Sequence, residues 1–218
     1  MSNKSRNTLV PGLEDVVAAE TSLSSVDGKA GELVIAGFPV EELASRANFE
    51  ETVYLLWHNA LPDAEQLTTF KEALSVRRPL PRATLDLLRA AASEQALTMD
   101  TLRMAAGTTN LGTPDNAPSE DEFYGDALAL VARFPAIVAT YWRLLREKEP
   151  VAPDPELGHA ANYLYMLIGK RPSAGYVRAL ETYLNTVVDH GLNASTFVAR
   201  AIVSTRSDVV SAVVGAIG

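Results

Sequence analysis

The residues best suited to do chemistry lie in one short stretch, residues 189–197. It brings together a carboxylate, an imidazole, a glycine and an amide, in Asp189, His190, Gly191 and Asn193. A histidine beside a glycine at a helix end can be aimed into a cleft while the backbone stays close to a ligand. An imidazole that donates to a carboxylate makes a charge-assisted contact. The stretch therefore predicts a site for a small anion.

Each residue of this stretch also has a structural interpretation. His190 is either a ligand-binding group or a hydrogen-bonded core residue. Asp189 either orients the imidazole or caps the following helix, and Asn193 offers both a donor and an acceptor within the same turn. Ser195 and Thr196 are predicted to be helix caps and not nucleophiles, because no second base is close in sequence.

Composition and missing motifs exclude several other classes of protein. With three histidines and no cysteine, we expect no metal site and no disulfide, and His58 and His159 are predicted to be structural or merely exposed. No glycine-rich phosphate loop or dinucleotide fingerprint is present, so no cofactor is expected. The net charge of −8 argues against binding to nucleic acid or to an anionic membrane. No apolar run follows the polar start, so we expect no signal peptide and a cytoplasmic globular protein.

Two helices must hold the stretch in place, one predicted over residues 175–188 and one over residues 197–205, both buried. One β-hairpin is predicted over residues 22–35, around a turn at residues 27–31. Residues 107–119, rich in Gly, Thr, Asn, Asp and Pro, are predicted to be a mobile loop. The sequence thus predicts an all-α, multi-helix fold with one small N-terminal β-hairpin. Further helices are predicted over residues 41–44, 50–57, 64–76, 83–92, 98–107, 120–147 (kinked at Pro135) and 157–167, with a last one capped by Asp208.

These segments, taken in order, resemble prokaryotic citrate and 2-methylcitrate synthases. The resemblance covers the chain from about residue 13 onward, and it implies the N-terminal portion (residues 1–218) of a citrate synthase-like large domain, ending before a small CoA-binding domain. The matching segments are residues 26–28, 31–33, 37–38, 41–44, 54–57, 61–62, 161–166, 189–197, 199–200 and 204–208.

The resemblance implies a reaction of the tricarboxylic acid cycle, the condensation of acetyl-CoA with oxaloacetate to citrate and CoA. Acetyl-CoA is then a co-substrate, and no metal or other cofactor is needed. His190 matches the family histidine that helps to hold oxaloacetate, and Asn193 matches a position close to the same pocket. The family forms homodimers through antiparallel helices, which here implies contacts through helices 99–108 and 124–146.

Other residues of the family site have no counterpart in these 218 residues. The proton-abstracting aspartate and two further histidines follow this segment in the family, and a G-P-L-H-G-G-A-type turn is expected a few residues after Gly218. His58 and His159 match other family positions and cannot replace them. The resemblance therefore implies that no catalytic set is complete in this chain and that the chain alone forms no citrate.

Three interpretations follow from this incomplete set. The chain is the N-terminal part of a citrate synthase, half of a split enzyme, or a non-catalytic paralogue that binds dicarboxylates or pairs with a full enzyme. Val187 replaces a histidine of many relatives and Ala36 replaces a frequent arginine, which leaves the paralogue open. The choice between acetyl-CoA and propionyl-CoA also stays open.

Overall fold

The computed structural model describes residues 19–109, 111 and 120–217, except for the side chains of residues 120–122. Its elements confirm the predicted all-α fold with a small β element near the N-terminus. In chain order they are β1 (Ser24–Asp27), β2 (Glu32–Ile35), β3 (Phe38–Pro39), α1 (Val40–Arg46), α2 (Phe49–His58), α3 (Ala64–Ser75), α4 (Arg82–Ser93), α5 (Thr98–Ala106), α6 (Glu120–Leu144), α7 (His159–Ile168), α8 (Ala174–Thr186), α9 (Ala194–Ser204) and α10 (Val209–Ala216).

The sheet contains the predicted hairpin and one strand that was not predicted. β1 pairs antiparallel with β2, and β2 pairs antiparallel with β3. The β2–β3 turn is formed by Ala36 and Gly37, whose φ angles of 46° and 88° are both positive, as a two-residue hairpin turn of type I′ requires. Alanine seldom adopts such a backbone, so this turn was not expected from the residues Ala36 and Gly37. Pro39 ends β3, and α1 follows it directly from Val40, one residue before the predicted start at residue 41.

Local capping explains where two of the helices begin. At the start of α2, the Asn48 side chain accepts from the Glu51 N–H at 2.9 Å, and the Glu51 carboxylate accepts from the Asn48 N–H at 2.7 Å. Asp63 and Gln66 form the same reciprocal pair at the start of α3. Each pair satisfies N–H groups that a helix leaves without an internal partner, and thereby fixes the first turn.

The core is built around α6, which packs against α3, α4, α5, α7 and α10. By length and composition α6 could cross a bilayer, but most of its alanines and leucines are buried inside this protein, as in a core helix. The small residues Ala136 and Ala139 of α6 form a buried cluster with Met166 of α7. Two further clusters flank α6: Val53, Phe70, Leu74, Leu128 and Ala132 on one side, and Leu88, Ala91, Ala105, Ile137 and Tyr141 on the other.

A separate apolar cluster joins the sheet to α1 and α2. We call it the sheet cluster; its buried members are Ile35, Leu43, Ala47 and Leu55. It lies next to the segment that carries His190, because Val188 packs against it. The sheet cluster is therefore the part of the core that positions the candidate site.

Part of the predicted loop over residues 107–119 can be compared with the structure. Gly107 caps the end of α5 and residues 108–109 form a turn, with Thr109 buried, so the loop begins later than predicted. Residues 110 and 112–119 lie outside the described residues, and the mobility of the loop stays a prediction. The kink at Pro135, which lies inside α6, also stays a prediction.

Candidate functional site

His190 lies in the irregular segment 187–193 between α8 and α9, and it is exposed. Helix α8 ends at Thr186, before the predicted end at residue 188, and α9 begins at Ala194, before the predicted start at residue 197. The irregular segment therefore begins and ends earlier in the chain than predicted. The exposure overturns the alternative that His190 is a core residue. Its imidazole is accessible to a ligand.

Two polar side chains of α8 fix this helix against the end of α1. Arg178 donates to the carbonyl oxygen of Ala44 and, at 2.9 Å, to that of Ala47. Asn185 is fully buried and donates to the same Ala47 oxygen at 2.9 Å. The last carbonyl groups of a helix have no internal partner, so these contacts cap α1 and hold α8 at the same time. The path of the chain into segment 187–193 is thereby set.

The residues on either side of His190 are anchored individually. Val188 packs on the sheet cluster. The Asp189 Oδ1 atom accepts from the hydroxyl of Ser24 on β1 and from the Gly191 N–H at 3.0 Å. Gly191 has a φ of 94°, a conformation that strains any other residue. An exposed imidazole is therefore presented from a backbone that is fixed on both sides.

The roles of the neighbouring residues differ from the predicted ones. Asn193, and neither Ser195 nor Thr196, is the N-cap of α9: its Oδ1 atom accepts from the Thr196 N–H at 2.9 Å and from the Thr196 hydroxyl at 3.0 Å. Asp189 caps no helix, and its carboxylate is bonded to Ser24 and Gly191 instead. The amide NH₂ group of Asn193 is the part of that side chain which the cap does not use.

The charges around His190 favour an anion. The N-terminus of α9 carries a partial positive charge, and the N–H groups of its first turn point out of the helix. An exposed imidazole three residues before the N-cap position adds hydrogen-bond donors for a carboxylate. The carboxylate of this segment belongs to Asp189 and is engaged in holding the turn. The segment can therefore bind and orient an anion, while one oxygen of its carboxylate holds the turn.

Exposed apolar residues flank the candidate site in sequence. Both helices at the break were predicted to be buried, yet α9 has no buried residue, and Phe197 and Val187 are each 49% exposed. Helix α9 packs on α10 along one side, and nothing in the described residues covers the other side. Leu192, Val198 and Val203 are also exposed, so the uncovered surface is continuous in sequence with His190.

The remaining histidines lie in different surroundings. His58 is exposed and stacks on Tyr54, with ring centroids 4.1 Å apart, and its Nε2 atom lies 3.2 Å from the Tyr124 hydroxyl. His159 is buried, and its backbone N–H donates to the Glu50 carboxylate at 2.7 Å. Burial, with a smaller contribution from the charge of Arg78, lowers the pKa of His159 to about 3. These positions agree with the predicted structural or exposed roles.

Metal binding is not favoured in the part of the chain that the structure describes. Within residues 19–109, 111 and 120–217, no group of three or more His, Asp or Glu side chains could hold a metal ion. The metal-free chemistry implied by the sequence stays a prediction.

Sequence reasoning missed three residues that position His190. Ser24 lies 165 positions before its partner Asp189, and a single hydroxyl in a strand shows no pattern. Asn185 looks like any polar residue near a helix end. The contact of Arg178 could have been predicted in part, because a cation within an apolar helix needs a partner such as a free carbonyl group. Long-range pairing of this kind becomes visible only in the fold.

Comparison with known proteins gives consistent matches over nearly the whole chain. The family model described as "Citrate synthase, C-terminal domain" matches residues 12–218. The chain is 41% identical over 212 residues to the citrate synthase of Haloferax volcanii, covering 95% of this chain and 56% of that protein. It is 38% identical over 216 residues to a 2-methylcitrate synthase of Mycobacterium tuberculosis, and the match covers 98% of this chain and 54% of that protein.

Solved structures agree with these sequence matches. The citrate synthase of Pyrobaculum aerophilum superposes with a TM-score of 0.85 at 36% identity, covering 94% of this chain and 53% of that one. A second structure is the citrate synthase of Thermoplasma acidophilum, solved as a ternary complex with carboxymethyl coenzyme A and oxaloacetate. It gives a TM-score of 0.84 at 25% identity, and the match covers 93% of this chain and 53% of that one. The chain thus spans about half the length of the curated relatives and solved structures that it matches.

Proposed function

The chain belongs to the citrate synthase family, and we propose that it supplies the oxaloacetate-binding histidine of a citrate synthase-type condensation. The observation that carries the proposal is the family match over residues 12–218. In this proposal His190 donates a hydrogen bond to a carboxylate of oxaloacetate, and Asn193 contributes its free amide group at the edge of the same pocket. The co-substrate is an acyl-CoA, and no metal takes part.

The geometry of segment 187–193 supports this role. Oxaloacetate is a small dianion, and the exposed imidazole next to the N-terminus of α9 suits a carboxylate group. The anchoring of Val188 and Asp189 reduces the freedom that His190 loses on binding. Binding to a preorganised donor is stronger because less entropy is lost when the complex forms.

Condensation also needs a base for the acyl methyl group and donors for the developing oxyanions. Family resemblance places those groups in sequence that is not among these 218 residues. We propose that they cover the exposed apolar surface of α9, and that the chain alone forms no citrate. A thiol-release assay with oxaloacetate and acetyl-CoA should therefore give no turnover above background. Turnover by the purified chain would refute the proposed inactivity.

Oxaloacetate binding can be tested without any catalysis. The chain should be stabilised against heating by oxaloacetate, since a ligand at 100 times its Kd adds about 2.7 kcal/mol to the stability of the state that binds it. His190→Ala should abolish this stabilisation, and His58→Ala, which removes an exposed histidine elsewhere, should keep it. Equal stabilisation of both variants would refute the assignment of His190.

The family resemblance also leads us to propose homodimerisation through helices 99–108 and 124–146. On α5, Met99 and Met104 are exposed while Ala105 and Ala106 are buried, so an apolar edge is available to a second copy. Analytical ultracentrifugation should show a dimer that Met104→Glu converts to a monomer. A wild-type chain that is monomeric at high micromolar concentration would contradict the proposal.

A non-catalytic dicarboxylate-binding or partner subunit is the second candidate function. It is favoured by Val187 and Ala36, which by the family resemblance replace a histidine and an arginine. Val187 lies within segment 187–193, and Ala36 packs against the sheet cluster. This candidate predicts oxaloacetate binding with no citrate formation even when a polypeptide carrying the missing residues is supplied. Restored turnover in that mixture would favour half of a split enzyme.

A further inference from the structure

The turn that carries His190 is tied to the sheet by one side chain. Ser24, the first residue of β1, is partly buried, and its hydroxyl donates to the Asp189 Oδ1 atom. The same oxygen accepts from the Gly191 N–H at 3.0 Å. One carboxylate oxygen therefore joins β1 to the residues immediately before and after His190.

The strand end that holds Ser24 is itself well fixed. Ser24 pairs directly with Ile35, a fully buried member of the sheet cluster. The preceding residue, Leu23, accepts a hydrogen bond from the Ala36 N–H at 2.7 Å. The position of the Ser24 hydroxyl is consequently determined by the core and not by a mobile loop.

The bond between Asp189 and Gly191 is local and cannot by itself set the turn relative to the rest of the protein. Val188 provides an apolar contact with the sheet cluster, but such a contact is non-directional. A hydrogen bond is directional, so the Ser24 hydroxyl selects one orientation of the Asp189 side chain and thus of the backbone on either side of His190.

We propose that Ser24 is a positioning residue that orients His190 through Asp189. This inference rests on the proposed role of His190 in holding oxaloacetate. Without the hydroxyl, the turn keeps its local bond and its apolar contact, so the fold persists while the imidazole adopts several orientations. If the His190 imidazole is displaced by up to about one ångström, we expect oxaloacetate to bind about tenfold more weakly.

The experiment compares variants of the 218-residue chain that differ in a single hydroxyl. Ser24→Thr and Ser24→Val have the same shape, both suit a strand, and only threonine keeps the hydroxyl. Ser25→Ala is the matched control, since Ser25 is the next residue of β1, exposed and on the opposite face of the sheet.

Two quantities are measured: the Kd for oxaloacetate by calorimetry, and the position and width of the His190 ring signal in proton–carbon NMR spectra. That signal is assigned by its loss in His190→Ala. We expect Ser24→Val to raise the Kd about tenfold and to shift or broaden the His190 signal. Ser24→Thr and Ser25→Ala should retain wild-type values of both quantities.

The outcomes separate this inference from the proposed function. If the wild-type chain fails to bind oxaloacetate, the proposed function is wrong, and the NMR comparison still tests whether Ser24 orients His190. If the chain binds oxaloacetate but Ser24→Val matches Ser24→Thr in Kd and in the ring signal, the positioning role is refuted. Equal effects of Ser24→Val and Ser25→Ala would also refute it, because they would indicate a general loosening of β1.

Discussion

His159 gives a quantitative prediction about the pH dependence of stability. It is 6% exposed, and burial together with the charge of Arg78 lowers its pKa from 6.5 to about 3. The folded protein therefore holds this imidazole neutral, while the unfolded chain binds a proton as the pH falls below 6.5. The stabilising contribution is complete above pH 6.5 and is lost as the pH falls toward 3.

The size of the effect follows from the shift. One pKa unit corresponds to about 1.4 kcal/mol, so lowering the pH from 7.5 to 5 should remove about 2 kcal/mol of the free energy of unfolding through this group alone. A typical domain has roughly 5–15 kcal/mol in total. Protonation of one buried imidazole would thus be a noticeable part of acid denaturation.

The assay is urea unfolding of the wild-type chain and of His159→Leu at several pH values between 7.5 and 5. Leucine keeps an apolar side chain at the site but takes up no proton, so the stability of the variant should fall by about 2 kcal/mol less over this range than that of the wild type. Phe49→Leu is the control: its ring lies 4.7 Å from that of His159, so it alters packing but keeps the titrating group. Parallel curves for wild type and His159→Leu would refute the reasoning, since they would show that His159 is protonated without loss of the fold.

Two further predictions concern the elements that lead into and out of segment 187–193. Arg178→Met should lower the free energy of unfolding by about 2–4 kcal/mol, because the Ala44 carbonyl loses its charge-assisted hydrogen bond while Ala47 keeps the one from Asn185. The control Arg82→Met removes an exposed ion pair and should change the free energy of unfolding by about 0.5 kcal/mol or less. If urea unfolding shows the same loss for Arg178→Met and Arg82→Met, the capping role of Arg178 is contradicted. Asn193→Ala should destabilise the chain by about 1 kcal/mol through loss of the α9 N-cap, and Asn193→Asp should restore it. No difference between these two variants would show that the cap does not stabilise α9.

Local chemistry made most of the fold predictable from the sequence. Helix α3 begins at Ala64 and the last helix begins after Asp208, both as predicted. Helix α2 begins at Phe49, one residue before its predicted start, after its cap Asn48. The start of α9 was misplaced because Asn193, Ser195 and Thr196 are all good caps in sequence. Only the backbone geometry distinguishes the residue that caps from those that follow it.

Prediction was weaker where contacts are long-range. The apolar composition of α9 predicted burial, but composition does not say whether another element covers a helix. The strand β3 depends on a turn through Ala36, a residue that seldom takes a positive φ. At the candidate site, His190 was found from its neighbours in sequence, whereas Ser24 became visible only when β1 was placed against Asp189.

The central claim is that His190 binds oxaloacetate, and the histidine ring signals of the chain test it most directly. The protein has three histidines, so three ring signals can be assigned by single substitutions. On titration with oxaloacetate, the His190 signal should shift and saturate, while the signals of buried His159 and of His58 stay in place. A saturable shift at His58 or His159 with no change at His190, or no shift of any ring signal, would contradict the claim.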